Sequence, residues 1–263
     1  MYKIIRLLQK KFIPEVDTFN EAEKYCNSKM PFGYQSKLLC DYRFRKLDIF
    51  LKNGGKLIQG TSINTLLISL SYYLHLNNGQ FPKILDYGGA CGENILFLDS
   101  LFNKSFHKIS WVVETNAQVL ESKKWKFVRN IQFQSDLEKV LENNIELFFT
   151  SCALNYVEEP YQILRKVVNK KIPFICLTRN NFSKNPKSFI QVSNLSDNGF
   201  GEHIQDYGNP LIWYPAQTLS EKKIKEIFMS SNYQIICEEN LVNSGVINSN
   251  SNYSKDLVFH LKD

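Results

Sequence analysis

The sequence predicts an α/β fold, with a mainly parallel sheet, a C-terminal antiparallel strand and a helical region in front. Three observations carry this. From Phe81 onward, short apolar runs alternate with helical patterns, which is how a parallel sheet with crossover helices is written in sequence. One run, Ile84-Leu85-Asp86, opens straight into a glycine-rich turn, Tyr87-Gly88-Gly89-Ala90-Cys91-Gly92, and then a helix. Ahead of Phe81 the chain reads as mostly helical, with no comparable strand run.

In the helical part, Asp17-Thr18-Phe19-Asn20-Glu21 offers an N-cap followed by an acid in the first turn. Asp41 to Leu51 and Thr61 to His75 are further helices, separated by the breaker Asn53-Gly54-Gly55. The strands expected in the sheet are 83–86, 110–114, 130–134, 146–151 and 174–178. Helices fill the gaps at 93–101, 117–127, 136–142 and 160–168. The stretch 181–210 is rich in Asn, Ser, Gly and Pro and follows a ligand-end strand, so it reads as a long functional loop, a lid over the substrate. A helix at 220–230 and an antiparallel pair, 233–241 with 256–261, close the chain, and 243–252 reads as a mobile loop. The division expected is a helical extension over 1–80 and a sheet domain over 81–263.

The chain has 263 residues, 43% of them hydrophobic, enough for a substantial core. Its net charge of +6 comes from Lys interleaved with Glu, and no basic cluster alternates with aromatics. Nucleic acid is therefore not an expected partner. The six cysteines fall singly, without a C-x-x-C pair or partnered histidines, which points to a reducing cytoplasm and to no metal site. No signal peptide and no membrane span is expected. Residues 1–13 mix Ile4, Ile5, Leu7, Leu8 and Phe12 with Lys3, Arg6, Lys10 and Lys11. Such a helix either docks on the protein or lies peripherally on the inner face of an anionic membrane.

The glycine turn indicates a ligand. Gly88, Gly89 and Gly92 depart from the G-x-G-x-x-G spacing that seats a pyrophosphate on a helix N-terminus, and Asp86 stands directly before them. A carboxylate there repels a pyrophosphate and suits a cation, such as the sulfonium and amino groups of S-adenosylmethionine (SAM). The next strand ends Trp111-Val112-Val113-Glu114, which places an acid where ribose hydroxyls would be bound. Asp86, Glu114, Ser151 and Arg179 all fall at carboxyl ends of strands, the side on which open α/β sheets bind ligands.

On these motifs the chain resembles the Rossmann-like class I SAM-dependent methyltransferases. More narrowly, it is similar to a bacterial methyltransferase family associated with surface-polysaccharide loci. The narrower likeness rests on Asp17-Thr-Phe-Asn-Glu-Ala, on Gly33-Tyr34-Gln35-Ser36 where that family has Gly-Tyr-Asp-Ser, and on Asp86-Tyr-Gly-Gly-Ala-Cys-Gly92. Leu154-Asn-Tyr156-Val-Glu-Glu-Pro160-Tyr161, Arg179-Asn-Asn-Phe182 and Ile190-Gln191 also align. The family's Arg-Thr-Pro-Phe is Arg179-Asn180-Asn181-Phe182 here, and its Tyr-Pro-x-Trp is only echoed by Asn209-Pro210-Leu-Ile-Trp213.

The resemblance implies a class I methyltransferase sheet, SAM as cofactor, and a small-molecule or glycan acceptor such as a sugar. Expected cofactor residues are Asp86, Gly88, Gly89, Gly92, Asn94, Glu114, Thr115, Ser151, Cys152, Leu154, Tyr156, Tyr34 and Ser36. His203 is the first candidate base, with Asp206 next, and Arg179 would hold an anionic or polyol acceptor. Gln191 and Tyr207 would face that acceptor. Two other classes stay open: an NAD(P)-dependent oxidoreductase on the same sheet, and a catalytically silent scaffold in a glycan-assembly complex.

Overall fold

The computed structural model describes residues 13–29, 33–56, 61–102, 106, 110–241 and 252–262. The basic stretch 1–13 and the loop 243–252 lie outside these, apart from Ile13 and Asn252.

Three helices precede the sheet: α1 (Phe19–Lys29), α2 (Lys37–Lys52) and α3 (Thr61–Leu76). At the start of α1, Thr18 Oγ1 accepts from the Glu21 amide while Glu21 Oε2 accepts from Asp17 and Thr18, a reciprocal cap that satisfies the free N–H groups of the first turn. A one-turn 3-10 helix, Gly33–Gln35, leads into α2.

The sheet contains β1 (Ile84–Tyr87), β2 (Ser110–Val113), β3 (Gln132–Gln134), β4 (Leu147–Ser151), β5 (Phe174–Ser183), β8 (Tyr233–Asn240) and β9 (Asn252–Leu261). Its order is β3-β2-β1-β4-β5-β9-β8. Strands β1 to β5 pair in parallel, and β9 runs antiparallel to both β5 and β8. The expected mainly parallel sheet with its antiparallel strand is thus present. Crossovers are α4 (Glu93–Leu101), α5 (Asn116–Ser122), α6 (Leu137–Val140) and α7 (Pro160–Asn169), with α8 (Glu221–Met229) before β8. Strand order reverses between β1 and β4, so the crevice at their carboxyl ends is the expected ligand position.

Alternation along the strands builds two cores. Ile84, Val112, Leu147, Phe149 and Cys176 face α3 and α4 through Leu66, Leu70, Ile95 and Leu98. Leu85, Val113, Phe148, Ile175 and Phe259 face α7 and α8 through Leu164, Val167, Ile224 and Phe228.

The segment read as one long loop is in part strand. Strand β5 continues to Ser183, and β6 (Ser188–Asn194) pairs antiparallel with β7 (Leu211–Gln217), in register from Ser188 opposite Gln217 to Asn194 opposite Leu211. The connection 184–187 and the stretch 195–210 between β6 and β7 are irregular, and the latter includes two 3-10 turns. The polar composition had concealed alternating apolar positions: Ile190 and Trp213 pack on Ala22 and Cys26 of α1, and Leu195, Ile212 and Tyr214 pack on Leu39 and Tyr42 of α2. Lys46 of α2, only 3% exposed, adds a polar clamp: its ammonium donates to the carbonyls of Ser196, Asn198 and Gly199 at 2.8, 3.1 and 3.1 Å. Helices α1 and α2 and the hairpin therefore form one cap.

Candidate functional site

The turn after β1 is fixed by its neighbours. Gly88 has φ +70°, and a Cβ there would stand 2.2 Å from the Ala153 Cβ, so the turn passes directly against the chain leaving β4. Its amide donates to the Val113 carbonyl at 2.8 Å, joining it to the end of β2. At Gly89 a Cβ would lie 2.5 Å from Asp86 Oδ2: the bare backbone is what makes room for the carboxylate. Gly92, at φ +81°, is the N-cap of α4.

Asp86 is 1% exposed. Asn94, on the first turn of α4, donates from Nδ2 to Asp86 Oδ2 at 3.0 Å, whereas Oδ1 is buried with no partner among the described residues. Burial pushes Asp86 up to about 7, with the Asn94 bond opposing and Glu93 and Glu114 reinforcing the rise. Glu114 accepts from the Ala90 amide through Oε1 and from the Thr115 amide through Oε2, each at 2.9 Å. An ionised carboxylate offers about four lone-pair directions, so about two stay open.

Arg43 of α2 supplies the counter-charge, and nothing in the local sequence marked it. Burial works against its charge, but Cys91 and the carboxylates of Glu93 and Glu114 outweigh that and push its pKa upward. In return Arg43 partly offsets the upward push of burial on Glu93 and Glu114. One arginine against Asp86, Glu93 and Glu114 leaves the turn acidic.

The expected loop and turn do meet. Tyr34 packs edge-on against Tyr156 with ring centroids 5.2 Å apart and lies 4.4 Å from Tyr214 of β7. Thr115, the N-cap of α5, donates from its hydroxyl to the Tyr34 carbonyl at 3.5 Å. Tyr156 donates to Gln191 Oε1 of β6 at 2.8 Å. Burial raises the phenol pKa of both Tyr34 and Tyr156. Cys152, at φ +63°, begins the 3-10 turn Ala153–Tyr156, and Ser36 sits, 7% exposed, at the N-cap of α2. Asn155, 1% exposed, holds this turn in place: Nδ2 donates to the carbonyls of Asn181 and Gln217 at 3.0 and 2.7 Å, and Oδ1 accepts from the Asn181 amide at 3.1 Å. It stood unremarked between two residues singled out in the sequence.

Other expected site residues are placed as follows. Leu154 is fully buried in the core beneath the sheet, against the α7 and α8 layer, because the turn after β4 points it inward. His203 Nδ1 is bonded to the Tyr42 hydroxyl at 2.9 Å, Tyr207 donates to Asp41, and Asp206 is exposed. Among the described residues, no hydrogen bond, ion pair or ring contact joins these three to Asp86, Glu114, Ser151 or Arg179. Their position follows from Tyr42 and Asp41, which dock 203–207 on α2. Arg179 does reach the strand ends, donating from Nε to Ser151 Oγ at 2.9 Å.

Among the described residues no group of His, Cys, Asp or Glu could hold a metal ion, and no helix is long and apolar enough to cross a membrane. No protein-family model matches the chain, and no curated protein matches it. Among solved structures it is similar to the N-terminal domain of EvdMO1 with S-adenosylhomocysteine (SAH) bound, at 12% identity over 78% of this chain and 83% of that one, TM-score 0.47. It is also similar to a SAM-dependent methyltransferase from Clostridium acetobutylicum, at 12% identity over 76% and 92%, TM-score 0.48. The CcbJ methyltransferase from Streptomyces caelestis is 8% identical over 85% and 99%, TM-score 0.48.

Proposed function

We propose that the protein is a SAM-dependent methyltransferase that methylates a hydroxyl-bearing small molecule, a sugar or glycan precursor. The observation that carries this is the carboxylate pair at the strand-order reversal. Asp86 presents a buried oxygen that lacks a donor, over a backbone with no Cβ in the way, and Glu114 keeps about two acceptor directions free. The residues present fit the group: an ammonium supplies the donor that Asp86 lacks, and a ribose diol supplies two donors for Glu114. A pyrophosphate would meet Asp86, Glu93 and Glu114 with only Arg43 to balance them, which disfavours a dinucleotide.

When bound, SAM supplies a methyl group on a sulfonium, already a good electrophile. The protein's work is then alignment and exclusion of water. Asp86 would hold the cationic end, with Asn94 fixing its carboxylate. Glu114 would orient the ribose, itself held by Ala90. Tyr34, Tyr156 and Tyr214 form the wall between the turn and the cap. Ser151 and Arg179 offer a hydroxyl and a guanidinium at the β4–β5 ends, and Gln191 of β6 offers an amide beside Tyr156, polar groups suited to a polar acceptor.

Titration calorimetry with SAM, SAH and NADH tests this. SAM and SAH should bind and NADH should not, and Asp86→Asn should weaken SAM. Heat from NADH alone would establish the oxidoreductase reading instead.

A further inference from the structure

Arg179 is the one residue inside a strand, among those described, whose φ is positive without its being glycine; the value is +54°. It lies in the irregular register between Leu177 and Asn180, where β5 pairs with β9. A left-handed arginine is strained and persists only where its surroundings impose it. The imposing group is Asp256 of β9, which is fully buried. Its Oδ1 accepts from the Arg179 amide at 2.7 Å, and its Oδ2 accepts from Thr65 Oγ1 of α3 at 2.6 Å.

The nearest buried acid is thus spent on the peptide of Arg179 and on a hydroxyl, not on its guanidinium. Ser151 Oγ accepts from Nε–H, and both Nη groups are without partners among the described residues. The side chain is exposed. Beside it, Asn180 is fully buried with neither amide atom hydrogen-bonded, and Thr150 Oγ1 on the neighbouring strand end is also unpaired. Buried polar groups are rarely left so, and such groups next to Arg179 in sequence and on the neighbouring strand end fit a backbone held out of its regular pairing there.

We infer that Arg179 is an oxyanion anchor preset by Asp256, and that the acceptor carries a carboxylate or phosphate which Arg179 grips through its two Nη groups. This rests on the methyltransferase reading for the word acceptor, but the anchor itself does not need the cofactor. Asp256 is a positioning residue here, acting only through the backbone of Arg179.

The test is NMR of arginine side-chain N–H signals during titration with inorganic phosphate, with glucuronate, and with glucose as the neutral control, each with and without SAH. Arg179→Gln assigns the signal. Phosphate or glucuronate should shift it saturably and glucose should not; which anion binds more tightly separates a phosphoryl from a carboxylate acceptor. Arg179→Gln and Arg179→Lys should each weaken binding about tenfold or more, the lysine because it lacks the two-pronged fork. Asp256→Asn should weaken the anion but leave SAH affinity unchanged, a split that general loosening of the fold would not give. Unsaturable shifts, equal for all arginines, would overturn the anchor. Absence of SAH binding with the anion response intact would count against the methyltransferase reading alone.

Discussion

The amide of Ala90 donates to Glu114 Oε1 at 2.9 Å, so the glycine turn after β1 and the acid ending β2 are one unit despite the helix between them. Glu114→Ala should therefore act twice. It removes the acceptor expected to hold the ribose and frees the turn. Each hydrogen bond to a charged group is worth about 1.5–3 kcal/mol, so SAH affinity should fall at least about tenfold by calorimetry. Unchanged affinity would remove Glu114 from the cofactor site.

Gly88→Ala meets the Ala153 Cβ and forces an alanine to φ +70°. Overpacking and strain together should cost about 2–4 kcal/mol, read as a lower urea midpoint. A midpoint equal to the parent's would mean that the two turns are not pressed together.

The buried Asp86 makes stability depend on pH with a definite sign. Its folded value, about 7, lies above its ordinary 3.8, so across that window the folded state holds the extra proton. Stability from this group is present at low pH and is lost as pH rises through 7, by a few kcal/mol at most. Burial of Glu93 and Glu114 acts with the same sign. Asp86→Asn should gain thermal stability on the parent as pH goes from 5 to 8. A constant difference in melting temperature across that range would refute this. SAM, being cationic, should bind the parent more tightly toward pH 8.

Breaking the His203–Tyr42 bond by His203→Ala should cost about 1 kcal/mol of stability and leave SAH affinity as it was. With a true acceptor in hand, turnover should stay within about threefold; a positioned base would show about a hundredfold loss or more.

Lys46→Met leaves three carbonyls of the 195–210 segment without their shared donor. Hydrogen exchange should quicken at 195–199 while the sheet keeps its protection. Unchanged exchange there would show that the apolar contacts of the hairpin hold it alone.

What the sequence revealed was local. Asp86, the glycines and Glu114 announce themselves because strand, turn and acid follow one another within a single βα unit. The β6–β7 hairpin did not, because Asn, Ser and Pro on its outer positions masked the alternation of Ile190, Ile212 and Tyr214. Arg43 and Asp256 were illegible for another reason. Each acts through space on residues far along the chain, and neither has a local pattern to distinguish it from a helix-surface arginine or a strand aspartate.

The cap has a consequence for biosynthesis. Helices α1 and α2 leave the ribosome well before their hairpin, and Ala22, Cys26, Leu39 and Tyr42 find Ile190, Leu195, Ile212, Trp213 and Tyr214 only about 150–190 residues later. At about 5–20 residues per second the nascent chain carries these apolar faces uncovered for about 10–30 s. Helices α1 and α2 are thus the stretch most exposed to chaperones and to misassociation, and their docking is among the last steps of maturation.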